Sequence, residues 1–460
     1  MSGTAHAKNQ IFKPRPISGF LEWLPEVRLV EQRWLDKIRG AFEQYGFCSI
    51  ETPSVEDVEV LAAKGGDTDK EIYGLRRLAA EPGQDDKTGG GRLALHYDLT
   101  VPMARYVAQH FGDLVFPFKR YQMQRCWRGE RPQDGRLREF YQCDIDVIDT
   151  DAVSLHFDAE IPAMTLDVLN RLDVGPVRLH INNRKILQGF YHGLGIENVV
   201  HAIRIADKLD KIGPDGVIKG LIEELGLGHA VAGKCVELAS IKTEDGRFAD
   251  AVRGFGVDNE ILETGLEELT FVMGELAHFP PGTVVADLSI ARGFDYYTGT
   301  VYEGKLVDYP DFPSVCAGGR YDNLVGSYSR QKLPGVGISI GFSRIFSKLV
   351  KEGRIQVGAK CPTDILVVYL PGSPRSDLAA TARALRERGF KVEMYHEEKS
   401  LKAQMKYASR KGIPYVWFPA NPEQKHHEVK DMDSGAQTAA EIETWTPDVA
   451  GGAPVGSVTM

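Results

Sequence analysis

Residues 118–149, FKRYQMQRCWRGERPQDGRLREFYQCDIDVID, constrain the fold more than any other stretch of the chain. They read as two β-strands joined by a charged turn, with Arg128, Glu130 and Arg131 on one side of it and Arg136 and Arg138 on the other. Side chains on a strand alternate between faces. Tyr141, Cys143, Ile145 and Val147 therefore share an apolar face that can enter a core. Phe140, Gln142, Asp144 and Asp146 share the opposite face, which is polar apart from one ring. That pattern predicts the floor of a polar pocket. The nearby arginines suit a polyphosphate, because a guanidinium pairs with phosphate oxygens through two parallel hydrogen bonds. An antiparallel hairpin with one solvated face would show the same alternation, so the downstream residues must separate the two readings.

Bulk properties narrow the possibilities. A chain of 460 residues, 43% of them hydrophobic, is long enough for two or three domains with their own cores. Its start, MSGTAHAKNQIFKPRP, has no apolar stretch of signal-peptide length and no membrane-spanning run follows, so a cytoplasmic location is expected. Cys48, Cys126, Cys143, Cys235, Cys316 and Cys361 are scattered without C-x-x-C spacing, which argues against a disulfide framework and against a cysteine zinc site. With a net charge of -9, any contact with nucleic acid must rest on local basic patches.

Val27, Val30, Trp34, Ile38, Ala41, Phe42 and Tyr45 recur at the spacing of one helix face, with Pro25 in the first turn and Gly46 at the end. FCSIETP then predicts a short strand closed by Pro53. Residues 71–95 predict a hairpin around the polar loop EPGQDDKTGGGR, its second strand carrying Asp98 and Thr100 ahead of a helix. Residues 185–275, rich in helix formers, predict a helical insertion within a sheet domain spanning residues 1–350. A polar linker, 351–361, leads to alternating strand and helix patterns over 362–447, the signature of a small α/β domain with a largely parallel sheet. Residues 448–460 predict a disordered tail.

Three more segments bear on the pocket. In LSIARGFDYYTGTVYE, Arg292 stands beside Gly293, which permits close backbone approach, and ahead of Tyr296 and Tyr297. In AGGRYDNLV, two glycines predict a tight turn that leaves Arg320 and Tyr321 at a cleft edge. In GVGISIGFSRIF, glycines flank and interrupt a strand, so another backbone or a ligand is expected to approach it closely. Arg344 then falls in the first turn of a helix, a position that favours anions.

Helix–strand–proline, arginine hairpin, and glycine-interrupted strand with an arginine at the helix start: this order resembles the three motifs of class II aminoacyl-tRNA synthetases. R-G-F-D-Y-Y-T-G and A-G-G-R-Y-D-N-L-V are similar to the two histidine-specific signatures of the histidyl-tRNA synthetase family. The resemblance runs over residues 12–445. It implies an α+β catalytic domain with an antiparallel sheet flanked by helices, a homodimer built on the first motif, and an anticodon-binding C-terminal domain. It further implies ATP-dependent activation of L-histidine and transfer to tRNA(His), with ATP entering as its Mg²⁺ complex and no protein-ligated metal. By the same resemblance, Arg128 grips the ATP α-phosphate and the amino-acid carboxylate, Glu130 reads the adenine amino group, Phe140 and Arg344 sandwich the adenine, and Arg136 meets the far phosphates. Asp98, Thr100 and Gln142 match residues that hold the α-ammonium group. Asp146, Tyr296, Tyr297 and Tyr321 match the histidine pocket, and Arg292 an arginine beside the α-phosphate. Two departures stand out: Asp98 and Asp146 replace the glutamates of many bacterial members, and I-S-G-F-L-E-W-L-P replaces the usual G-T-x-D entry.

In the C-terminal region Lys399, Lys402, Lys406 and Arg410 recur at helical spacing, with Leu401, Met405 and Ala408 on another face. The stripe is a candidate for tRNA phosphates; a solvated helix face is the plainer alternative. His426 and His427 read as surface residues. A second overall reading is a non-enzymatic paralogue that binds histidine or tRNA as a regulatory subunit.

Overall fold

Helix α1, Pro25–Gln44, forms where apolar positions repeat every three or four residues, and Val30, Trp34, Ile38, Ala41 and Phe42 are buried. It stops where Gly46 takes φ +77° and the amides of Gly46 and Phe47 donate to the carbonyls of Glu43 and Phe42. The structure, a computed structural model, describes residues 13–62, 71–76, 92–291, 297–322, 332–421 and 425–447. The chain divides into two units, Met1–Leu21 with Lys37–Glu352, and Glu22–Asp36 with Gly353–Met460.

In the first unit the strands are β1 (Cys48–Ser49), β2 (Val55–Asp57), β3 (Leu93–Leu95), β4 (Phe118–Trp127), β5 (Glu139–Ile148), β6 (Val177–Asn183), β7 (Lys242–Thr243), β8 (Val284–Asp287), β9 (Tyr297–Leu306), β10 (Cys316–Tyr321) and β11 (Gly335–Ile340). β2 and β3 pair with each other. The rest form a nine-stranded sheet in the order β1-β4-β5-β11-β10-β9-β6-β8-β7. Every neighbouring pair from β4 to β6 is antiparallel, and only β1–β4 and β6–β8 are parallel. The sheet is thus mixed, with its parallel pairs outside the antiparallel centre that carries the site.

The helices wholly within this unit are α2 (Val58–Ala62), α3 (Thr100–Gln109), α4 (Phe157–Leu172), α5 (Arg184–Gly193), α6 (Val199–Ala206), α7 (Leu209–Leu225), α8 (His229–Ala239), α9 (Arg247–Arg253), α10 (Glu260–Glu275) and α11 (Phe342–Lys351). α5 and α10 pack on β6 and β9 and cross closely. A Cβ on Gly189 would collide with the Leu262 amide, and one on Gly265 would lie 2.7 Å from the Ile186 amide. The region expected to be helical therefore begins and ends in helices that cover the sheet. It also contributes an edge strand, β7, paired with β8. Gly213, at φ +72°, kinks α7 just before Pro214.

The second unit contains β12 (Ile365–Val367), α12 (Arg375–Glu387), β13 (Val392–Met394), α13 (Leu401–Lys411), β14 (Tyr415–Phe418), β15 (His427–Asp431) and β16 (Gln437–Ala440). The sheet order is β13-β12-β14-β15-β16. Only the first three strands are parallel; β14–β15 and β15–β16 are antiparallel. The closing hairpin turns where Asp431 Oδ1 accepts from the amides of Asp433 and Ser434 and Gly435 takes φ +76°. Its short polar strands carry too little alternation to announce a sheet.

Two side chains here differ from expectation. His427 is half-buried, and its Nδ1 accepts from the Trp417 indole at 3.3 Å and the Ala420 amide at 3.0 Å. Burial holds its imidazole below the ordinary range, so it is a packing residue of the sheet while His426 stays exposed. The buried face of α13 is built on Gln404 and Ala408, and Leu401 is exposed. Gln404 bonds the amide and carbonyl of Tyr369, replacing a hydrophobic contact by a fully satisfied amide.

Candidate active site

β4 and β5 pair along their whole length, with Arg120 opposite Asp146 and Gln124 opposite Gln142. Alternation along β5 brings Phe140, Gln142, Asp144 and Asp146 to one face, and all four line a cavity of about 260 Å³. Strands β10 and β11 add Cys316, Gly318, Tyr321, Gly337 and Ser339 to its walls. Of the other expected residues, Asp98, Thr100, Arg128, Glu130, Tyr297 and Arg344 also line it.

Asp98 and Thr100 arrive by an unexpected route. β3 ends at Leu95, and Thr100 is already the first residue of α3. Asp98 Oδ1 accepts from the Val101 amide at 3.0 Å and so caps that first turn. A helix start, rather than a strand, therefore presents both side chains.

Arg128 follows β4 by one residue. Its Nε donates to the Tyr97 carbonyl at 3.1 Å, and its guanidinium lies 5.0 Å from the Phe140 ring centre. Glu130 pairs with Arg136 at 3.5 Å across the hairpin turn. Arg136 is half-exposed and lies outside the cavity lining, because the tight Gln133–Arg136 bridge turns it outward. Arg344 sits in the first turn of α11, donating from Nε to the Gly135 carbonyl at 2.7 Å and from Nη1 to the Ser314 carbonyl at 2.5 Å. It therefore ties α11 to the hairpin turn as well as facing the cavity.

At the other end of β5, Asp146 is enclosed by charge and hydrogen bonding. Arg120 Nη2 lies 2.5 Å from its Oδ2, and the Tyr321 hydroxyl donates to Oδ1 at 3.0 Å. Burial, reinforced by the Asp146 carboxylate, pushes the Tyr321 phenol well above its usual range, so the hydroxyl remains a donor. The glycines of β10 and β11 make this packing possible. A Cβ on Gly337 would meet Asp146 Oδ1, one on Gly335 the Tyr321 ring, and one on Gly318 the Gly337 carbonyl. The expected close approach is thus made by the protein's own side chains and backbone.

Asp144 lies between these ends. Burial pushes its carboxyl up to about 7 against the opposing pull of Arg120 and a hydrogen bond with Ser339, with Asp146 and Asp98 adding to the rise. Gln142 Nε2 donates to Ser339 Oγ at 2.5 Å. Asp144 is expected on the cavity floor but without a role of its own, and Ser339 and Arg120 are not among the expected site residues. Asp144 could have been singled out, since it shares the alternating face with Gln142 and Asp146. Arg120 and Ser339 lie on other strands, and only pairing reveals them.

Arg320 does not reach a cleft edge. It lies on the side of β10 away from the cavity, bonded from Nε to both oxygens of Asp158, a carboxylate with 0% exposure. The expected tight turn is instead a strand, and alternation sends Arg320 and Tyr321 to opposite faces. Arg292 and Tyr296 lie outside the described residues. In the second unit Lys402, Lys406 and Arg410 are exposed along α13, while Lys399 precedes the helix and pairs with Glu397 at 2.5 Å.

Comparison with known proteins matches the chain in two successive parts. The family model of histidyl-tRNA synthetase matches residues 19–345, and that of the anticodon binding domain matches residues 364–446. The histidine–tRNA ligase of Thermobifida fusca is 56% identical over 95% of this chain and 99% of its own length. That of Micrococcus luteus is 45% identical over 94% and 96%. The crystal structure of histidyl-tRNA synthetase from Nostoc sp. PCC 7120 superposes with a TM-score of 0.83 at 35% identity, covering 94% of this chain and 97% of that one. A Bacillus halodurans protein described as an ATP phosphoribosyltransferase regulatory subunit/histidyl-tRNA synthetase gives a TM-score of 0.71 at 20% identity over 86% and 97%, which indicates a shared fold alone.

Proposed function

Because this chain belongs to the histidyl-tRNA synthetase family, we propose that its cavity joins L-histidine to ATP as histidyl-adenylate and then passes the histidyl group to the 3′ end of tRNA(His). The observation that carries this reading is the single wall of β5. Phe140 and Asp146 stand six residues apart on one face, roughly 20 Å along a strand, room for a nucleotide and an amino acid laid end to end.

In this reading the adenine stacks on Phe140 beneath Arg344 and is read by Glu130, while Arg136 meets the far phosphates. ATP enters as its Mg²⁺ complex, the ion being held mainly through phosphate oxygens. Asp98, Thr100 and Gln142 take the α-ammonium group; Asp146, Tyr296, Tyr297 and Tyr321 surround the imidazole. The histidine carboxylate attacks the α-phosphate, its P–O bond to pyrophosphate breaks, and pyrophosphate leaves. The carboxylate is already ionised, so this step needs no general base. Two anions are brought together, and the guanidinium groups of Arg128 and Arg292 stabilise the charge that builds on the phosphorus oxygens. Selectivity follows from Asp146, whose orientation by Arg120 and Tyr321 suits a ring N–H. An apolar analogue would leave buried polar groups unpaired, a penalty of order 10⁴ in sites built this way.

The exposed stripe of Lys402, Lys406 and Arg410, with Lys399, is proposed to meet tRNA phosphates, and the working unit is proposed to be a cytoplasmic homodimer. Among the described residues no helix is long and apolar enough to cross a membrane. ATP–pyrophosphate exchange tests the central reading: exchange should depend on added L-histidine and fall by orders of magnitude in Arg292→Ala. Tight histidine binding with no exchange would instead establish the regulatory-subunit alternative.

A further inference from the structure

Behind the cavity floor, β4 carries a second row of buried polar side chains. Arg120, Gln122 and Gln124 stand opposite Asp146, Asp144 and Gln142 in the β4–β5 register and so share their face of the sheet. Arg120 and Gln122 have 0% exposure, and Gln124 is buried as well. So is Thr52, in the stretch between β1 and β2 that meets this row. None of the four lines the cavity.

Their hydrogen bonds run in one direction. The Thr52 carbonyl can only accept, so Gln124 presents its amide nitrogen there, at 2.8 Å, and its oxygen on the other side. That oxygen accepts from Gln122 Nε2 at 2.7 Å, and the same nitrogen donates to Thr52 Oγ1 at 2.9 Å. Gln122 therefore turns its oxygen towards Arg120, where it accepts from Nη1 at 3.4 Å. Reversing either amide would set donor against donor and acceptor against acceptor inside the protein. The backbone carbonyl of Thr52 thus fixes the polarity of the whole row.

Arg120 depends on that polarity because its partners are few. Nη2 lies 2.5 Å from Asp146 Oδ2, an ion pair without hydrogen-bond alignment, and Nε has no partner among the described residues. Among those residues, Gln122 Oε1 is therefore the one hydrogen-bond acceptor of the guanidinium, while Asp146 supplies the charge. An unaligned ion pair lets a guanidinium rotate, whereas a fixed acceptor on a neighbouring nitrogen restrains it. We propose that Gln122 is a positioning residue for histidine recognition, holding Arg120 and through it the Asp146 carboxylate, with Thr52 as the anchor of the relay. This inference rests on the histidine-activating reading above, and it assigns part of the selectivity to side chains that do not touch the substrate.

The test compares full-length wild type with Gln122→Met, which keeps length and burial but removes the acceptor. Pyrophosphate exchange gives KM for L-histidine and for ATP, and the inhibition constant of β-(2-thienyl)-L-alanine, whose ring has no N–H for Asp146. KM for L-histidine should rise about threefold to thirtyfold, a bond of 3.4 Å falling short of the full range for one to a charged group, with kcat changed far less. KM for ATP and the thienylalanine constant should stay at their wild-type values. Thr52→Val should show the same selective effect to a smaller degree, and Thr52→Ser, which keeps the hydroxyl, should not. An unchanged histidine KM in Gln122→Met, an equal rise in both KM values, or equal weakening of histidine and thienylalanine would overturn the role of Gln122. If Gln122→Met does not fold, the Thr52 variants decide, and an equal histidine KM in the two counts against the relay. Absence of histidine-dependent exchange in the wild type would overturn the activation reading, and this inference with it.

Discussion

Arg120 and Asp146 face each other across β4 and β5, Nη2 lying 2.5 Å from Oδ2, with Arg120 at 0% exposure. A guanidinium inside a sheet is tolerated because this carboxylate neutralises it. The carboxylate in turn is held against the cavity by the Tyr321 hydroxyl. A buried pair is weak grounds for stability, since two desolvation penalties offset the attraction, but breaking it leaves one charge stranded.

Arg120→Met should therefore destabilise the protein by ~3–5 kcal/mol, measured by urea denaturation. Adding Asp146→Leu should restore much of that loss while leaving pyrophosphate exchange abolished. Equal stability of wild type and Arg120→Met would show that the charge inside the sheet is compensated elsewhere.

Gly337→Ala places a methyl group against Asp146 Oδ1 and the Ile145 carbonyl. The strand has no room to yield, because β11 is held between β5 and β10. We expect a loss of ~1–3 kcal/mol from overpacking. Histidine KM should rise as well, because the displaced carboxylate no longer meets the imidazole.

Arg320→Met separates structural from functional arginines. It strands the fully buried Asp158, so thermal denaturation should reveal a loss of ~3–5 kcal/mol. The folded fraction should keep its ATP KM, since Arg320 points away from the cavity; a selective rise in that KM would contradict the placement.

Stability against pH should show two acidic groups with opposite signs. At Asp287 burial raises the carboxyl, but His180, Ser289 and Lys242 outweigh it and hold it at about 2. Its stabilisation is present above the ordinary carboxylate range near ~3.9 and is lost as pH falls through about 2. At Asp144 the folded carboxyl titrates near 7, so the native state binds its proton more tightly than the unfolded chain. Stability is then lost as pH rises from ~4 towards 7 and does not return above it. Asp144→Asn should flatten that slope and be more stable than wild type at pH 8, and Asp287→Asn should be less stable at pH 7. Chemical denaturation of the three proteins across the range from about pH 2 to pH 8 checks both signs.

Much of the site was legible because strand alternation depends only on residues two apart. The common face of Phe140, Gln142, Asp144 and Asp146 needs no partner to be seen, and α1 likewise follows from local periodicity. Misplacements arose where one local signal outcompeted another. Asp98 and Thr100 look like a continuation of β3 until the cap on Val101 is seen. Arg320 looks like a turn residue because Gly318 and Gly319 precede it, yet those glycines are in a strand that packs against neighbouring backbone.

From short spacings in the residue order came the face that floors the cavity, while the class of fold came through the resemblance of the motifs to a known family; Arg128 and Arg344 line the cavity as that resemblance implies. Tertiary pairing decided which charges neutralise one another. Arg120 meets Asp146 only through the β4–β5 register, and Tyr321 reaches the same carboxylate from 175 positions along the chain. Ser339 accepts from Gln142 and stands opposite Asp144 only because β11 inserts beside β5. Electrostatic and hydrogen-bonding partners are set by distance in space, and no local pattern encodes it.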